Sequence, residues 1–160
     1  MGFPKLIIKL VRTKYIVGVV LPIIGYHISS ITAERREIST EKIDINSAPK
    51  INSVEQRDMT YPIKQAALAI SFEFETTYTP NIGEIRIAGE ILYSNKNLKK
   101  ISEFWDKQNK LPEDIDIEVR NFLFRKCLSL GVNLSENLQL PPPVLFPLIS
   151  DSQKDNTYIG

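Results

Sequence analysis

Ala66–Tyr78 reads AALAISFEFETTY. The apolar side chains Leu68, Ile70, Phe72, Phe74 and Tyr78 share one parity, while Ser71, Glu73, Glu75 and Thr77 share the other. Successive side chains of a strand point to opposite faces, so this two-residue period predicts a strand with one face in a core and one in water. After Thr79, Pro80, Asn81 and Ile82, the stretch Gly83–Tyr93 alternates again, with Ile85, Ile87, Ile91 and Tyr93 set against Glu84, Arg86 and Glu90. The two runs predict a hairpin. Their apolar sets are even-numbered and odd-numbered respectively, so paired residue numbers must have an odd sum or a core face would meet a polar one. A sum of 161 leaves a four-residue loop, pairs Phe74 with Ile87 and Ile70 with Ile91, sets Phe72 over Gly89 and puts Glu75 opposite Arg86. A sum of 159 would squeeze Pro80 into a tight turn that tolerates it badly, so 161 is the predicted register.

Working outward, the segments Gly25–Glu37 and Thr40–Val54 read as two further, less regular strands. Downstream the period changes. Leu98, Ile101, Phe104 and Trp105 recur at helical spacing and predict a short amphipathic helix. A second, long helix starts at Leu111-Pro112, where proline suits the first turn and Glu113, Asp114 and Asp116 suit the positive end of the helix dipole. Its stripe runs Ile115, Val119, Phe122, Leu123, Cys127, Leu130, Leu134 and Leu138. Strands first and helices after predict an α+β domain: a four-stranded antiparallel sheet, a short connector helix, and a long helix packed on one face.

The segment that follows, QLPPPVLFPLI (139–149), forbids helix through its prolines yet carries Val144, Leu145, Phe146, Leu148 and Ile149. It is expected to lie extended beside the long helix. Adjacent Phe104 and Trp105 cannot both enter one narrow helical stripe, so one of them is a candidate for a contact surface.

The chain has 160 residues, enough for one domain with a real core, and its formal net charge of +1 gives no overall polyanion-binding signature. The charge is uneven: Lys5, Lys9, Arg12 and Lys14 precede the first acidic residue, Glu34. A single cysteine, Cys127, excludes an intrachain disulfide framework and fits a reducing, cytoplasmic setting. The lone His27 excludes sites built from paired His and Cys. No P-loop, GxGxxG or nucleophile elbow appears, so neither an enzyme, nor a cofactor, nor a small-molecule substrate is expected. Glu73 and Glu75, with Arg86 across the hairpin, read as a solvated sheet face, and Cys127 reads as core. The apolar run YIVGVVLPIIGYHI (15–28) is short for a bilayer span and holds Pro22, so a membrane partner is not expected. Organisation is read as a basic and apolar arm over 1–23, a domain over 24–149 and a polar tail over 150–160.

This order of elements, with GEIRIAGEILYS (83–94) and RNFLFRKCLSLGVNLSENLQLPPPVLFPLISD (120–151), resembles the SecB family of export chaperones. The likeness of layout spans 26–151. It implies self-association into an oligomer and an apolar groove that holds unfolded or nascent polypeptide, with Phe104, Trp105, Phe122, Leu145, Phe146 and Leu148 as candidate lining. The tail DSQKDNTYIG has no Cys or His, unlike the metal-binding tail common in that family. The alternative expectation is a ribosomal or ribosome-associated protein. Its Lys5, Lys9, Arg12 and Lys14 would neutralise rRNA phosphates, helped by Arg35, Arg36, Lys99 and Lys100.

Overall fold

The computed structural model of the chain describes residues 22–36, 42–61 and 64–147. Four strands, β1 (Ile23–Arg35), β2 (Asp44–Met59), β3 (Gln65–Thr79) and β4 (Gly83–Tyr93), precede two helices, α1 (Leu98–Gln108) and α2 (Glu113–Asn137). The strands form one antiparallel sheet in the order β1-β4-β3-β2, so β1 and β2, consecutive in sequence, stand at opposite edges. The fold is α+β, with both helices on one face of the sheet.

The β3–β4 hairpin takes the register that parity requires, with Phe74 opposite Ile87, Ile70 opposite Ile91, Phe72 opposite Gly89 and Glu75 opposite Arg86. Its inner face is almost wholly removed from water, and each fully buried aliphatic or aromatic side chain there contributes about 1.5–3 kcal/mol. Gly89 is needed where it stands. A Cβ at this position would collide with the His27 carbonyl oxygen and meet Phe72 Cζ at 3.0 Å, beside the register shift of β1 against β4 between Ile28 and Ser30. On the outer face Arg86 reaches Glu75 at 3.2 Å and Glu84 at 3.1 Å, and Arg57 forks onto Glu90 at 2.6 and 3.1 Å.

β2 runs five residues past the expected Val54, to Met59. A register shift between Ile51 and Ser53 is the reason: it carries Ile51 and Val54, three apart, onto one face and hides the alternation. The helices follow the sequence pattern with one change. Buried positions of α2 are Ile115, Val119, Leu123, Cys127, Gly131 and Ser135, a strict four-residue row, whereas Leu130, Leu134 and Leu138 are only half-buried. Such rows lean around the helix, so the buried face rotates from one end of α2 to the other.

At the helix end the chain reverses and is tied to the sheet. Tyr78 donates its hydroxyl to the Pro141 carbonyl at 2.8 Å, Arg35 donates to the Leu138 carbonyl at 3.2 Å, and Leu140 is buried. Pro143 then lies against Gly131, where a Cβ would come within 3.4 Å of its ring. The proline segment therefore packs beside the long helix.

Candidate functional site

α1 and α2 are joined by a tight connector, Asn109 to Pro112, in which Asn109 takes the left-handed conformation (φ 51°) that ends α1. The connector holds α1 over the β2 side of the sheet and leaves a cavity of about 510 Å³. Its apolar surface comes from Ile51 of β2, Trp105 of α1 and Leu111 of the connector. Phe104 stands at its mouth, 42% exposed, while Trp105 is half-buried against the core. The two neighbours thus divide the work: Trp105 anchors α1 and Phe104 faces solvent.

Charge surrounds this apolar surface. Lys110 and Glu113 are exposed, and Arg120 bonds Asp116 at 2.6 Å and donates to the Pro49 carbonyl at 2.8 Å. Arg120 therefore clamps the edge strand to α2. Pro49 has no N–H, and Lys50 and the bulge follow, so this edge is poorly suited to receiving another strand.

A second cavity, of about 570 Å³, lies farther along α2 between Phe124, Leu128 and Val132 on the helix and Val144 and Phe146 of the proline segment. Both cavities are on one flank of α2. Phe124 packs edge-on to Phe74 with centroids 5.5 Å apart, and Arg120 reaches Pro49, the β2 residue paired with Phe74.

Of the six residues expected to line one groove, four are spread over three cavities. Phe104 and Trp105 line the first cavity and Phe146 the second. Phe122 points instead toward β1, edge-on to Tyr26 at 5.5 Å, in a smaller cavity with Pro22 and Ile23. Leu145 is fully exposed and lines none of these cavities, and Leu148 lies outside the described residues. Ile51, Leu111 and Arg120 were not foreseen, and no local signal marks them, because they converge from three separate elements. Lys5, Lys9, Arg12 and Lys14 also lie outside the described residues. Of the residues expected to extend their footprint, Lys99 and Lys100 are exposed. Arg35 is bonded to the end of α2, and Arg36 pairs with Glu34 and Glu84.

Among the described residues no group of three or more His, Cys, Asp or Glu is placed to hold a metal ion, and no helix is long and apolar enough to cross a membrane. Cys127 is buried, and desolvation pushes its thiol up to about 12. Tyr93 is pushed up to about 12 by burial first, and then by its hydrogen bond to the Glu118 carboxylate at 2.9 Å.

No protein-family model matches the chain, and no curated protein matches it in sequence. Among solved structures the chain is similar to a SecB-like chaperone of Mycobacterium tuberculosis, solved in complex with a ChAD peptide from the HigA1 antitoxin. The TM-score is 0.48 and the identity 11%, over 80% of this chain and 88% of that one.

Proposed function

We propose that this chain is a non-enzymatic protein-binding module that holds extended apolar segments of unfolded or nascent polypeptide in the groove between α1, its connector and β2. The observation that carries this reading is Phe104, a large aromatic 42% exposed at the mouth of a cavity of about 510 Å³ in which Ile51, Trp105 and Leu111 are framed by polar and charged residues. Apolar patches framed by polar residues mark contact surfaces, and a concave one of this size takes one or two large side chains.

The mode of capture follows from the edge. Pro49 offers no donor and Arg120 holds its carbonyl, so side-chain burial rather than strand addition carries the client. Each Leu or Phe anchor contributes about 1.5–3 kcal/mol on full burial, and association costs offset much of that, so binding is weak and exchangeable. Weak exchange suits a protein that must release its client. A reducing, cytoplasmic setting accords with the single cysteine.

The test is suppression of aggregation of a destabilised client by equimolar purified protein, repeated with Phe104→Ser. Suppression that weakens in the variant supports the reading. A protein that leaves aggregation unchanged removes its main support.

A further inference from the structure

Six arginines lie among the described residues, and five of them are bonded: Arg35 to the Leu138 carbonyl, Arg36 to Glu34 and Glu84, Arg57 to Glu90, Arg86 to Glu75 and Glu84, and Arg120 to Asp116. Arg125 is the sixth. It is exposed near the middle of α2 and has neither an ion pair nor a hydrogen-bond partner among the described residues. From Asn121 to Ser135 the helix carries no acidic residue that could serve as one.

Arg125 stands on the ridge between two cavities, because it lines both. One is the cavity of about 570 Å³ that Phe124, Leu128 and Val132 form with the proline segment. The other, of about 340 Å³, lies toward β1, where Pro22, Ile23 and Phe122 supply the apolar surface. Phe124 and Phe122 lean to opposite sides of α2, onto Phe74 and Tyr26. The other charges nearby are already engaged: Lys126 lies over the Phe122 ring at 5.8 Å, and Glu118 accepts the Tyr93 hydroxyl at 2.9 Å. The free guanidinium is thus the polar centre of a surface with an apolar hollow on each side.

We infer that this face of α2 docks a polypeptide segment in which one carboxylate stands between two apolar side chains, the carboxylate on Arg125 and one apolar side chain in each hollow. The surface is separate from the groove at Phe104. Charge selects the occupant, since a planar guanidinium receives a carboxylate through two parallel hydrogen bonds. Spacing follows from the ridge. A helix with its side chains is about 10–12 Å across, and positions i and i+4 of an extended segment are about 13 Å apart, with i, i+2 and i+4 on one face. The segment therefore reads apolar, any, acidic, any, apolar. An anionic lipid surface fits less well, because such surfaces select clusters of roughly four to eight basic residues and this face has Arg125 and Lys126.

The test is anisotropy of a short labelled peptide, Leu-Ser-Glu-Ser-Phe, titrated with the full chain at low salt, where an exposed charge contact is least screened. Arg125→Gln should weaken binding about tenfold. Replacing the peptide's Glu by Gln should weaken binding to the unaltered chain by a similar factor and binding to Arg125→Gln by little, the non-additivity of a direct contact. Arg125→Glu should in turn prefer a peptide with Lys at that place, and Ser in place of Leu and Phe should abolish binding. Equal affinity of the unaltered chain and Arg125→Gln for the acidic peptide overturns the inference and leaves the Phe104 reading untouched. An oligomer that Arg125→Glu dissociates gives the face to a second copy, and flotation with phosphatidylserine vesicles that Arg125→Glu abolishes gives it to a lipid surface; either overturns the inference. Arg125-dependent peptide binding by a chain that leaves client aggregation unchanged upholds it and sinks the client reading alone.

Discussion

On the inner face of the β3–β4 hairpin, Leu68, Ile70, Phe72, Phe74, Ile85, Ile87 and Ile91 are each at most 1% exposed. Along the α1–α2 flank, Phe104 is 42% and Ile117 53% exposed. Both regions are apolar, but they distribute apolar side chains differently. A strand sends alternate residues to opposite faces, so one face can be closed completely. A helix that carries apolar groups around most of its circumference cannot turn them all toward one sheet. On α2, Phe122 leans to β1, Phe124 to β3 and Ile117 away from both. Burial in the hairpin thus stabilises the fold, while the surplus apolar surface on the flank stays in water.

Breaking the closed region has the largest effect. Phe74→Ala removes a ring held by Ile87, Phe124 and the sheet, and is expected to cost about 3–5 kcal/mol, read as a lower urea midpoint. Alkaline pH attacks the same core. Burial raises the folded-state pKa values of Tyr93 and Cys127 above their ordinary values of 10.0 and 9.0 to about 12. The neutral forms therefore belong to the fold: the stability they contribute is fully present below about pH 9 and is lost as pH rises toward about 12. Denaturation midpoints measured from pH 7 to 12 should hold level and then fall, with Tyr93→Phe falling less. Gly89→Ala presses a methyl group on the His27 carbonyl and is expected to cost about 1–3 kcal/mol.

Changes on the open flank sharpen the contrast from the other side. Phe104→Ser should alter stability by under about 0.5 kcal/mol while weakening peptide binding about tenfold, the reverse of what Phe74→Ala does. The smallest effect belongs to the outer sheet face. Glu75→Gln leaves Arg86 with Glu84 and Glu73, so a change under about 1 kcal/mol is expected from thermal or urea unfolding.

The hairpin register was legible because strict alternation from Leu68 to Phe74 and from Ile85 to Ile91 admits few pairings, and Pro80 removes the nearest competitor. The extent of β2 was not, since a bulge after Ile51 breaks the two-residue period on which such reading depends. On α2 the outer leucines of the expected stripe gave way to Gly131 and Ser135, because the buried row rotates around the helix and small residues suffice where Pro143 closes over it. The adjacency of Phe104 and Trp105 drew attention to α1. Their cavity, however, also needs Ile51 and Leu111, and a neighbourhood made by folding leaves no trace in local spacing.

The central claim is that the flank binds extended apolar polypeptide, and fluorescence of Trp105 measures it most directly. Titration with a peptide carrying alternate Leu and Phe should give a saturable change in emission that is lost in Phe104→Asp and absent when the peptide's apolar residues are replaced by Ser. An emission that stays constant, or that responds equally to the serine peptide, would contradict the account.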